Sequence, residues 1–245
     1  MEEIRDIIIR KDEKYTLYMD IFRPDNPAKK APCLMWIHGG AWCMHELTRT
    51  YIPEQYKMWV EAGYVVASCE YRLSDEAVWP AQIEDCRYDL EYLMENADKY
   101  GIDKDNIFVW GESAGGHLAS FIANDGKVKG GCIWYPPVYF DVLREDRPEY
   151  GWCRDLIGTD DFNTREKLDS ISPLFTVSEK SSPCLVMHGM TDDLVDISMS
   201  EMLVEALKQY QNDVTFIKVP GQGHGFFNGD EYYKLVLDWM NARIS

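Results

Sequence analysis

One serine in the chain lies in a sequence pattern that suits a nucleophile. Ser113 is the centre of Gly111-Glu112-Ser113-Ala114-Gly115, which has the form G-x-S-x-G. Small residues two positions on either side let a strand turn sharply into a helix, and the turn exposes the hydroxyl at the carboxyl end of the strand. It also aims the backbone N–H of Ala114 and the positive end of the helix at the same point. Because the motif also occurs by chance in unrelated chains, the rest of the sequence must supply a base, an acid and further donors.

A second glycine-containing turn supplies candidate donors for an oxyanion. His38-Gly39-Gly40-Ala41 follows a run of apolar residues, and two successive glycines let backbone N–H groups approach a ligand closely because no Cβ is in the way. The N–H groups of Gly40 and Ala41, with that of Ala114, are therefore predicted to form a three-donor oxyanion hole. An ordinary strand exit is the alternative. We expect His38 to orient this loop rather than to contact substrate.

A base and an acid follow later in the chain. His224 is flanked by glycines after the last predicted strand, in a loop that can bring an imidazole between a serine and an acid. Three aspartates after the His188-Gly189 pair compete for the role of the acid, namely Asp192, Asp193 and Asp196, and each could instead be a solvated loop carboxylate. The order serine, aspartate, histidine is that of nucleophile-elbow hydrolases. His224 would act as general base and then as general acid, while the aspartate would fix its tautomer.

The elements that must position these residues alternate between strands and helices. Strands are predicted over 4–9, 15–22, 33–37, 64–69, 107–110, 128–135, 184–187 and 214–219, and helices over 52–62, 80–100, 115–123, 198–210 and 230–242. This alternation predicts the α/β class, with a mostly parallel eight-stranded sheet, an antiparallel N-terminal edge and helices on both faces. Sites in such sheets lie outside the carboxyl ends of the strands, which is where each motif falls.

Residues 1–245 are predicted to form one domain with a small insertion. The periodicity weakens and charges become more frequent over about 138–180. A segment of about 40 residues is too short to bury a core of its own, so we expect an insertion or small cap rather than a second domain.

Composition and charge limit the possible partners. The chain has 46% apolar residues and a formal charge of −17, which argues against nucleic acid and anionic membrane surfaces as partners. The N-terminus is charged and carries no apolar segment like that of a signal peptide. The seven cysteines are odd in number and form no C-x-x-C pair, which favours reduced thiols in a cytoplasmic protein. A catalytic cysteine is disfavoured because none has turn chemistry like that of Ser113.

The histidines indicate neither a metal nor another cofactor. No pair of them has metal-ligand spacing with a carboxylate, so we predict no metal site. His117 follows the serine turn and is expected to be a packed polar residue. The sequence is compatible with either a monomer or a homodimer.

Taken together, the motifs give the chain a family resemblance. It resembles the α/β-hydrolase superfamily and, within it, the hormone-sensitive-lipase-like and xylan-acetyl-esterase-like (BD-FAE-like) carboxylesterases. The similarity covers about Pro32 to Trp239. Its markers are His38-Gly39-Gly40-Ala41-Trp42, Tyr71-Arg72-Leu73 with Trp79-Pro80-Ala81, Tyr100-Gly101-Ile102-Asp103, Gly111-Glu112-Ser113-Ala114-Gly115-Gly116, His188-Gly189 with Asp192, and His224-Gly225-Phe226.

The resemblance implies a site and a fold. The family's acid falls three residues after the His-Gly pair, which selects Asp192 from the three candidates. The third family glycine is Ala41 here, and its N–H is retained. The large N-terminal lid of the lipase-like members is absent, which implies a more open site. The loss of His224 that is seen in non-catalytic relatives has not occurred. The implied fold is the α/β-hydrolase fold.

The implied activity is that of a serine carboxylesterase without a cofactor. It would cleave short acyl esters, with acetyl esters of sugars as the expected small-molecule substrates. Candidate pocket walls are the aromatic residues Trp42, Tyr139, Phe140, Trp152 and Phe226, which could stack on sugar rings or could simply be packing residues. An arylformamidase or a small peptidase would use the same triad and stays as the alternative. A binding protein without turnover is a third, disfavoured because the triad is intact.

Overall fold

The computed structural model describes residues 1–25, 30–141, 148–158, 163–225 and 229–244. The strands are β1 (Glu2–Lys11), β2 (Thr16–Arg23), β3 (Ala31–Ile37), β4 (Val65–Cys69), β5 (Ile102–Glu112), β6 (Gly130–Trp134), β7 (Cys184–Gly189) and β8 (Val214–Val219). The α-helices are α1 (Tyr56–Glu61), α2 (Ala81–Glu95), α3 (Ala97–Tyr100), α4 (Ala114–Asn124), α5 (Pro148–Ile157), α6 (Arg165–Ser170), α7 (Ser198–Gln209) and α8 (Asp230–Asn241). Two 3₁₀ helices cover Arg49–Tyr51 and Pro173–Thr176.

These strands form one eight-stranded sheet in the order β1-β2-β4-β3-β5-β6-β7-β8. The pairs β1–β2 and β2–β4 are antiparallel, and every pair from β4 to β8 is parallel. The predicted mostly parallel sheet with an antiparallel N-terminal edge is therefore confirmed. The parallel part brings the carboxyl ends of β3, β5, β7 and β8 to one edge, and the loops that carry the motifs leave from there.

Apolar side chains project from both faces of the sheet, and helices bury these side chains on each face. Side chains of α2, α4 and α7 pack into one core on one face, where Ile83, Leu118 and Leu203 are nearly or fully buried. On the other face, α1 and α8 bring Trp59 and Trp239 against a second core. The strands between these layers are continuous apolar runs because each of their faces is buried.

Two predicted helices differ from the observed ones, and local chemistry explains both differences. The helix predicted over 80–100 is divided at Asn96, whose side-chain amide donates to the carbonyl of Tyr92 at 2.9 Å and so competes with the backbone ladder. The helix predicted over 52–62 begins only at Tyr56. Ile52 precedes a proline and is extended, with φ −56° and ψ 131°, because the proline ring disfavours helical backbone at the preceding residue.

The predicted insertion over 138–180 contains α5 and α6 in its described parts. Its side chains Val138, Leu156, Leu168 and Ile171 are buried in the core that α2, α4 and α7 share. Backbone hydrogen bonds also join it to the rest of the chain, for example from the N–H of Trp79 to the carbonyl of Leu156 at 2.7 Å. The buried residues of this segment therefore belong to the main core.

The structure also shows the state of the cysteines and the lengths of the helices. All seven cysteines are free thiols, and six of them are buried. Within the described ranges, no helix is both long enough and apolar enough to cross a membrane.

Candidate active site

The turn between β5 and α4 places Ser113 at the carboxyl edge of the sheet. Ser113 has φ 54° and ψ −119°, a left-handed conformation that few residues other than glycine adopt. Its N–H donates to the carbonyl of Trp134 at 3.0 Å, and its own carbonyl accepts from the N–H of His117 at 2.9 Å. Both hydrogen bonds hold the strained backbone between the strand and the helix, and the side chain faces an open cavity.

Close backbone contacts explain the two flanking glycines. A Cβ at Gly111 would lie 2.1 Å from the carbonyl oxygen of Gly115, and a Cβ at Gly115 would lie 2.1 Å from the carbonyl oxygen of Ile37. Side chains at either position would collide with backbone atoms, which cannot move aside as the end of a flexible side chain can. The G-x-S-x-G pattern is therefore required by the packing of α4 on the ends of β3 and β5.

The structure brings together Ser113, His224 and one of the three candidate acids. The Oγ of Ser113 lies 2.9 Å from Nε2 of His224, and Nδ1 of His224 lies 2.8 Å from Oδ2 of Asp192. This continuous chain of hydrogen bonds has the geometry of a nucleophile, a base and an orienting acid. His224 remains 17% exposed, whereas the side chain of Asp192 is fully buried.

Asp192 is held as a carboxylate by several donors. One of its oxygens accepts from the N–H groups of Leu194 (3.0 Å) and Val195 (2.9 Å), and the other lies 3.2 Å from Nε2 of the buried His188. Burial alone would raise the pKa of Asp192. The hydrogen bonds from His188, His224 and the Val195 backbone outweigh this effect and hold the pKa well below its ordinary value. Asp192 is therefore ionised at neutral pH and accepts from Nδ1 of His224.

The other two aspartates of this loop occupy different environments. Asp193 is exposed, and Asp196 is exposed as well and accepts from the N–H of Ser198 at the start of α7. Only Asp192 of the three contacts His224. Its selection by the spacing after His188-Gly189 agrees with the geometry.

The loop after β3 has left-handed backbone at three successive residues. Gly40, Ala41 and Trp42 follow one another with φ values of 102°, 47° and 61°. The N–H groups of Gly40 and Ala41 have no hydrogen-bond partner within the described part of the chain. Ala114 is the first residue of α4, where an N–H has no partner inside the helix. All three residues line the same cavity as Ser113.

Two buried histidines support this region without facing the cavity. The ring of His38 stacks on Tyr71 with centroids 4.2 Å apart, and its Nδ1 lies 2.8 Å from the carbonyl of Gly39. His117 donates from Nε2 to the carbonyl of Ile171 (2.7 Å) and accepts at Nδ1 from the indole N–H of Trp42 (3.2 Å). Burial lowers the pKa of each histidine to about 4, so both are neutral. They fit the orienting and packing roles expected of them.

A cavity of about 630 Å³ opens in front of Ser113. Trp42, Phe140 and Trp152 line it, as the sequence predicts. Tyr139 is not among its lining residues. The hydroxyl of Tyr139 accepts from Arg165 at 3.2 Å and its ring lies edge-on to Phe175, so its side chain is engaged with the insertion instead. The fifth predicted wall residue, Phe226, lies outside the described residues.

Several cavity residues were missed by the sequence analysis. Glu112 and Tyr135 lie beside the triad, and the segment that precedes α1 contributes Thr50, Tyr51, Glu54 and Gln55. The glutamate inside G-x-S-x-G was a visible signal for the first of them. The residues before α1 carry no motif, and only the folded loop brings them to the site. Among the described residues, no group of three or more His, Cys, Asp or Glu is arranged to hold a metal ion.

The sheet order and the strand–turn–helix around Ser113 define an α/β-hydrolase. The BD-FAE family model matches residues 19–130 and 123–207, and the chain belongs to the BD-FAE family. The family resemblance inferred from the motifs is thereby confirmed.

Individual relatives point to the same class. A solved structure described as a truncated form of carbohydrate esterase from gut microbiota superposes with a TM-score of 0.85 at 26% identity, covering 99% of this chain and 96% of that one. Arylesterase of Saccharolobus solfataricus is 32% identical over 99% of this chain and 83% of its own length. Esterase LipC of Mycobacterium tuberculosis is 29% identical over 85% of this chain, which spans 56% of LipC. The chain thus covers only about half the length of that last relative.

The close contacts at the serine turn give a testable expectation. Gly111→Ala and Gly115→Ala should each lower the free energy of unfolding by about 3 kcal/mol, since a Cβ at either position overlaps backbone. Both variants should also label poorly with a fluorophosphonate, because the displaced turn no longer presents Ser113. Urea unfolding and probe labelling measure the two effects.

Gly151→Ala is the matched control for this pair. Gly151 lies in α5, and no atom lies within 4 Å of an added Cβ. Alanine there should leave labelling unchanged and stabilise the protein by about 0.5 kcal/mol through helix propensity. Wild-type stability and labelling in Gly115→Ala would show that the turn tolerates a side chain and would contradict this account.

Proposed function

We propose that the chain is a serine carboxylesterase that cleaves short-chain acyl esters, preferentially acetyl esters, through an acyl-enzyme on Ser113. The observation that carries the proposal is the hydrogen-bonded series Ser113–His224–Asp192 beside a cavity that Ser113 and His224 both line. The names of the relatives, which are an esterase, an arylesterase and a carbohydrate esterase, support the same reaction class.

Acylation follows from the positions of the three side chains. The Oγ of Ser113 attacks the ester carbonyl carbon while Nε2 of His224 takes its proton. The carbonyl oxygen becomes an anion facing the N–H groups of Gly40, Ala41 and Ala114. The ionised Asp192 stabilises the imidazolium, which then protonates the departing alcohol as the C–O bond breaks. Water enters, gives a proton to His224 and releases the acid by the same steps, and Ser113 regains its proton.

The cavity has an apolar end suited to a small acyl group. Trp42 and Phe140 belong to the core on the face of α2, α4 and α7, and they are only 3% and 5% exposed. Trp152 of α5 packs against the same core and completes this wall. Because these aromatic side chains are fixed in the core, the space between them admits only a short acyl chain and excludes water. This end favours acetyl or propionyl over longer acyl groups.

The opposite end of the cavity is polar and open. Thr50, Tyr51, Glu54 and Gln55 rim it, and Tyr51 is 58% exposed. Tyr135 and Tyr233, which belong to the core on the face of α1 and α8, also line the cavity and are buried. Hydroxyl, amide and carboxylate groups beside the exposed ring of Tyr51 suit a hydroxyl-rich alcohol such as a sugar. We therefore place the alcohol part of an acetylated sugar at this end.

The charged side chains that line the cavity help to decide between an esterase and an arylformamidase. Among the described lining residues there is no lysine or arginine, whereas Glu54 and Glu112 are both present. A formamide such as N-formylkynurenine carries an α-carboxylate as well as an α-ammonium group, and the carboxylate would face these glutamates without a cationic partner from the lining. The cavity favours neutral esters over such a substrate, and the same argument disfavours esters of acidic sugars.

The first test concerns the nucleophile. Wild-type protein should hydrolyse p-nitrophenyl acetate and release acetate from acetylated xylo-oligosaccharides, and a fluorophosphonate should label it once. Ser113→Ala should lose both activities and the label, because Ser113 carries the one hydroxyl of the 111–115 turn and is the residue bonded to Nε2 of His224. Retained labelling in Ser113→Ala would overturn the assignment, and serine-dependent deformylation of N-formylkynurenine without ester turnover would move the protein to the amide alternative.

The second test separates the acid from its neighbour. Asp192→Asn should reduce kcat for p-nitrophenyl acetate by roughly 10⁴-fold, because a neutral amide no longer fixes the His224 tautomer or stabilises its charge. Asp193→Asn is the matched control, since Asp193 is exposed and has no contact with His224, and its kcat should stay close to that of wild type. Steady-state kinetics at saturating substrate decide the point. The opposite ranking of the two variants would show that the acid is misassigned.

A third test concerns the acyl end. Trp152→Ala should enlarge the cavity and raise kcat/KM for p-nitrophenyl butyrate relative to the acetate by roughly 10-fold, the size of discrimination that one or two methylene groups provide. Arg154→Ala changes the same helix outside this cavity and should leave the ratio unaltered. An unaltered ratio in Trp152→Ala as well would mean that the acyl chain lies elsewhere.

A further inference from the structure

Two residues beside the triad are joined to each other and to His224, and the proposed reaction uses neither. The hydroxyl of Tyr135 donates to Oε2 of Glu112 at 2.7 Å. The ring of Tyr135 lies edge-on to the imidazole of His224, with centroids 4.6 Å apart. Glu112 precedes Ser113 directly, and both Glu112 and Tyr135 line the cavity.

The sheet register explains why these residues meet. In the parallel pair β5–β6, Glu112 lies opposite Trp134, so the next residues along the two strands, Ser113 and Tyr135, leave the sheet side by side. Both have left-handed backbone, with φ 54° at Ser113 and φ 36° at Tyr135. Such a conformation costs about 1–3 kcal/mol in a residue other than glycine and concentrates where a side chain must be aimed. The N–H of Tyr135 bonds to the carbonyl of Met187 at 2.8 Å and helps to fix this aim.

The ionisation of the pair follows from its surroundings. Burial raises the pKa of Glu112, and this shift is opposed by the hydrogen bond from Tyr135 and by the positive charge that His224 can carry. Burial and the adjacent Glu112 raise the pKa of Tyr135 well above its ordinary value, so its hydroxyl stays protonated and donates. The other titratable groups facing the pair are Tyr233 on α8, His188 on β7, whose ring centroid lies 6.4 Å from that of Tyr135, and, across His224, Asp192. His188 is bound to Ser200, to the carbonyl of Val195 and to Asp192, so among these described groups His224 is the one placed to take the proton of Ser113.

We propose that the carboxylate of Glu112 is a second anionic partner of the His224 imidazolium, held in place by the hydroxyl of Tyr135. Asp192 binds Nδ1 and fixes the tautomer, whereas Glu112 acts through space without taking a proton. When Ser113 transfers its proton to His224, the positive charge forms between two carboxylates instead of beside one. Glu112 and Tyr135 are thus positioning residues that act through His224, and the role rests on the esterase function proposed above.

Two variants separate the charge from the hydrogen bond. Glu112→Gln keeps the shape of the side chain and removes the charge, while Tyr135→Phe keeps the ring against His224 and removes the donor. Tyr92→Phe is the matched control, because it also loses one part-buried hydroxyl contact, with Tyr100 at 2.9 Å, far from the site. The readouts are kcat, KM and the pH profile of kcat/KM with p-nitrophenyl acetate.

The expected pattern differs from that of a structural defect. Glu112→Gln should lower kcat by roughly 10-fold with little change in KM, since His224 carries its full charge only after substrate has bound. Its acid limb of kcat/KM should move to lower pH by about half a unit, because an anion favours the protonated imidazole and its removal releases the proton earlier. Tyr135→Phe should lose activity mainly at low pH, because Glu112 without the hydrogen bond from Tyr135 is protonated more easily and becomes neutral there. Its activity should recover as the pH rises. The double variant should be no worse than Glu112→Gln.

Other outcomes would overturn the proposal. Profiles of Glu112→Gln and Tyr135→Phe that parallel the wild-type profile with a uniform loss would indicate packing alone, and an unchanged kcat in Glu112→Gln would exclude an electrostatic role. If Glu112→Gln fails to fold, Tyr135→Phe still decides through its pH profile. The rate of Ser113 labelling by a fluorophosphonate, followed against pH, gives the same comparison without an ester substrate. A failure of the carboxylesterase proposal is therefore distinguishable from a failure of this one.

Discussion

The close packing of α4 against the ends of β3 and β5 is the constraint on which the site depends. Every residue of α4 is buried, so the helix cannot shift to relieve the turn that precedes it. The left-handed backbone of Ser113 would cost about 1–3 kcal/mol on its own. Burial of the helix offsets that cost, because moving the turn would expose apolar surface on α4. The serine is thereby held rigidly at the sheet edge, as a nucleophile must be to meet a histidine from another strand.

The loop that carries Asp192 is fixed by a different means. The β7–α7 loop is organised around the carboxylate of Asp192, which accepts two backbone N–H groups and contacts two histidines. His188 is also tied to Ser200 and to the carbonyl of Val195. A buried carboxylate without these donors would be strongly destabilising, so the same contacts that fold the loop also keep the acid ionised.

The sequence allowed the framework to be predicted, because the information for it is local. β3 to β8 contain apolar runs that are followed by glycine, proline or motif residues, and Ser113, Asp192 and His224 each follow one of these strands within a few positions. Boundaries were missed where a side chain competes with the backbone, as at Asn96, or where a proline acts on its neighbour, as at Ile52. These effects depend on one or two atoms that periodicity does not register.

The walls of the cavity were predicted less well, for a physical reason. Neighbouring residues in an irregular segment point in directions that the sequence does not encode, so Phe140 lines the cavity while Tyr139 turns towards Arg165. Thr50 to Gln55 reach the site only because the β3–α1 loop crosses above the sheet edge. The contribution of Tyr135 depends on a positive φ value directly after β6. A tyrosine at this position gives no sign of such a backbone conformation.

The pairing of Glu112 with Tyr135 raises the question of why the protein keeps a partly buried carboxylate beside Ser113. A neutral side chain of the same size would avoid the desolvation of an anion and would not repel an incoming oxyanion. Both disadvantages are acceptable if the anion lies nearer to the imidazolium than to the oxyanion donors. The stem of Glu112 passes beside Gly39 of the loop after β3, but the hydroxyl of Tyr135 holds the carboxylate, and the ring of Tyr135 contacts His224. The positive and negative charges that develop together during acylation would then each be met by groups on their own side of the serine.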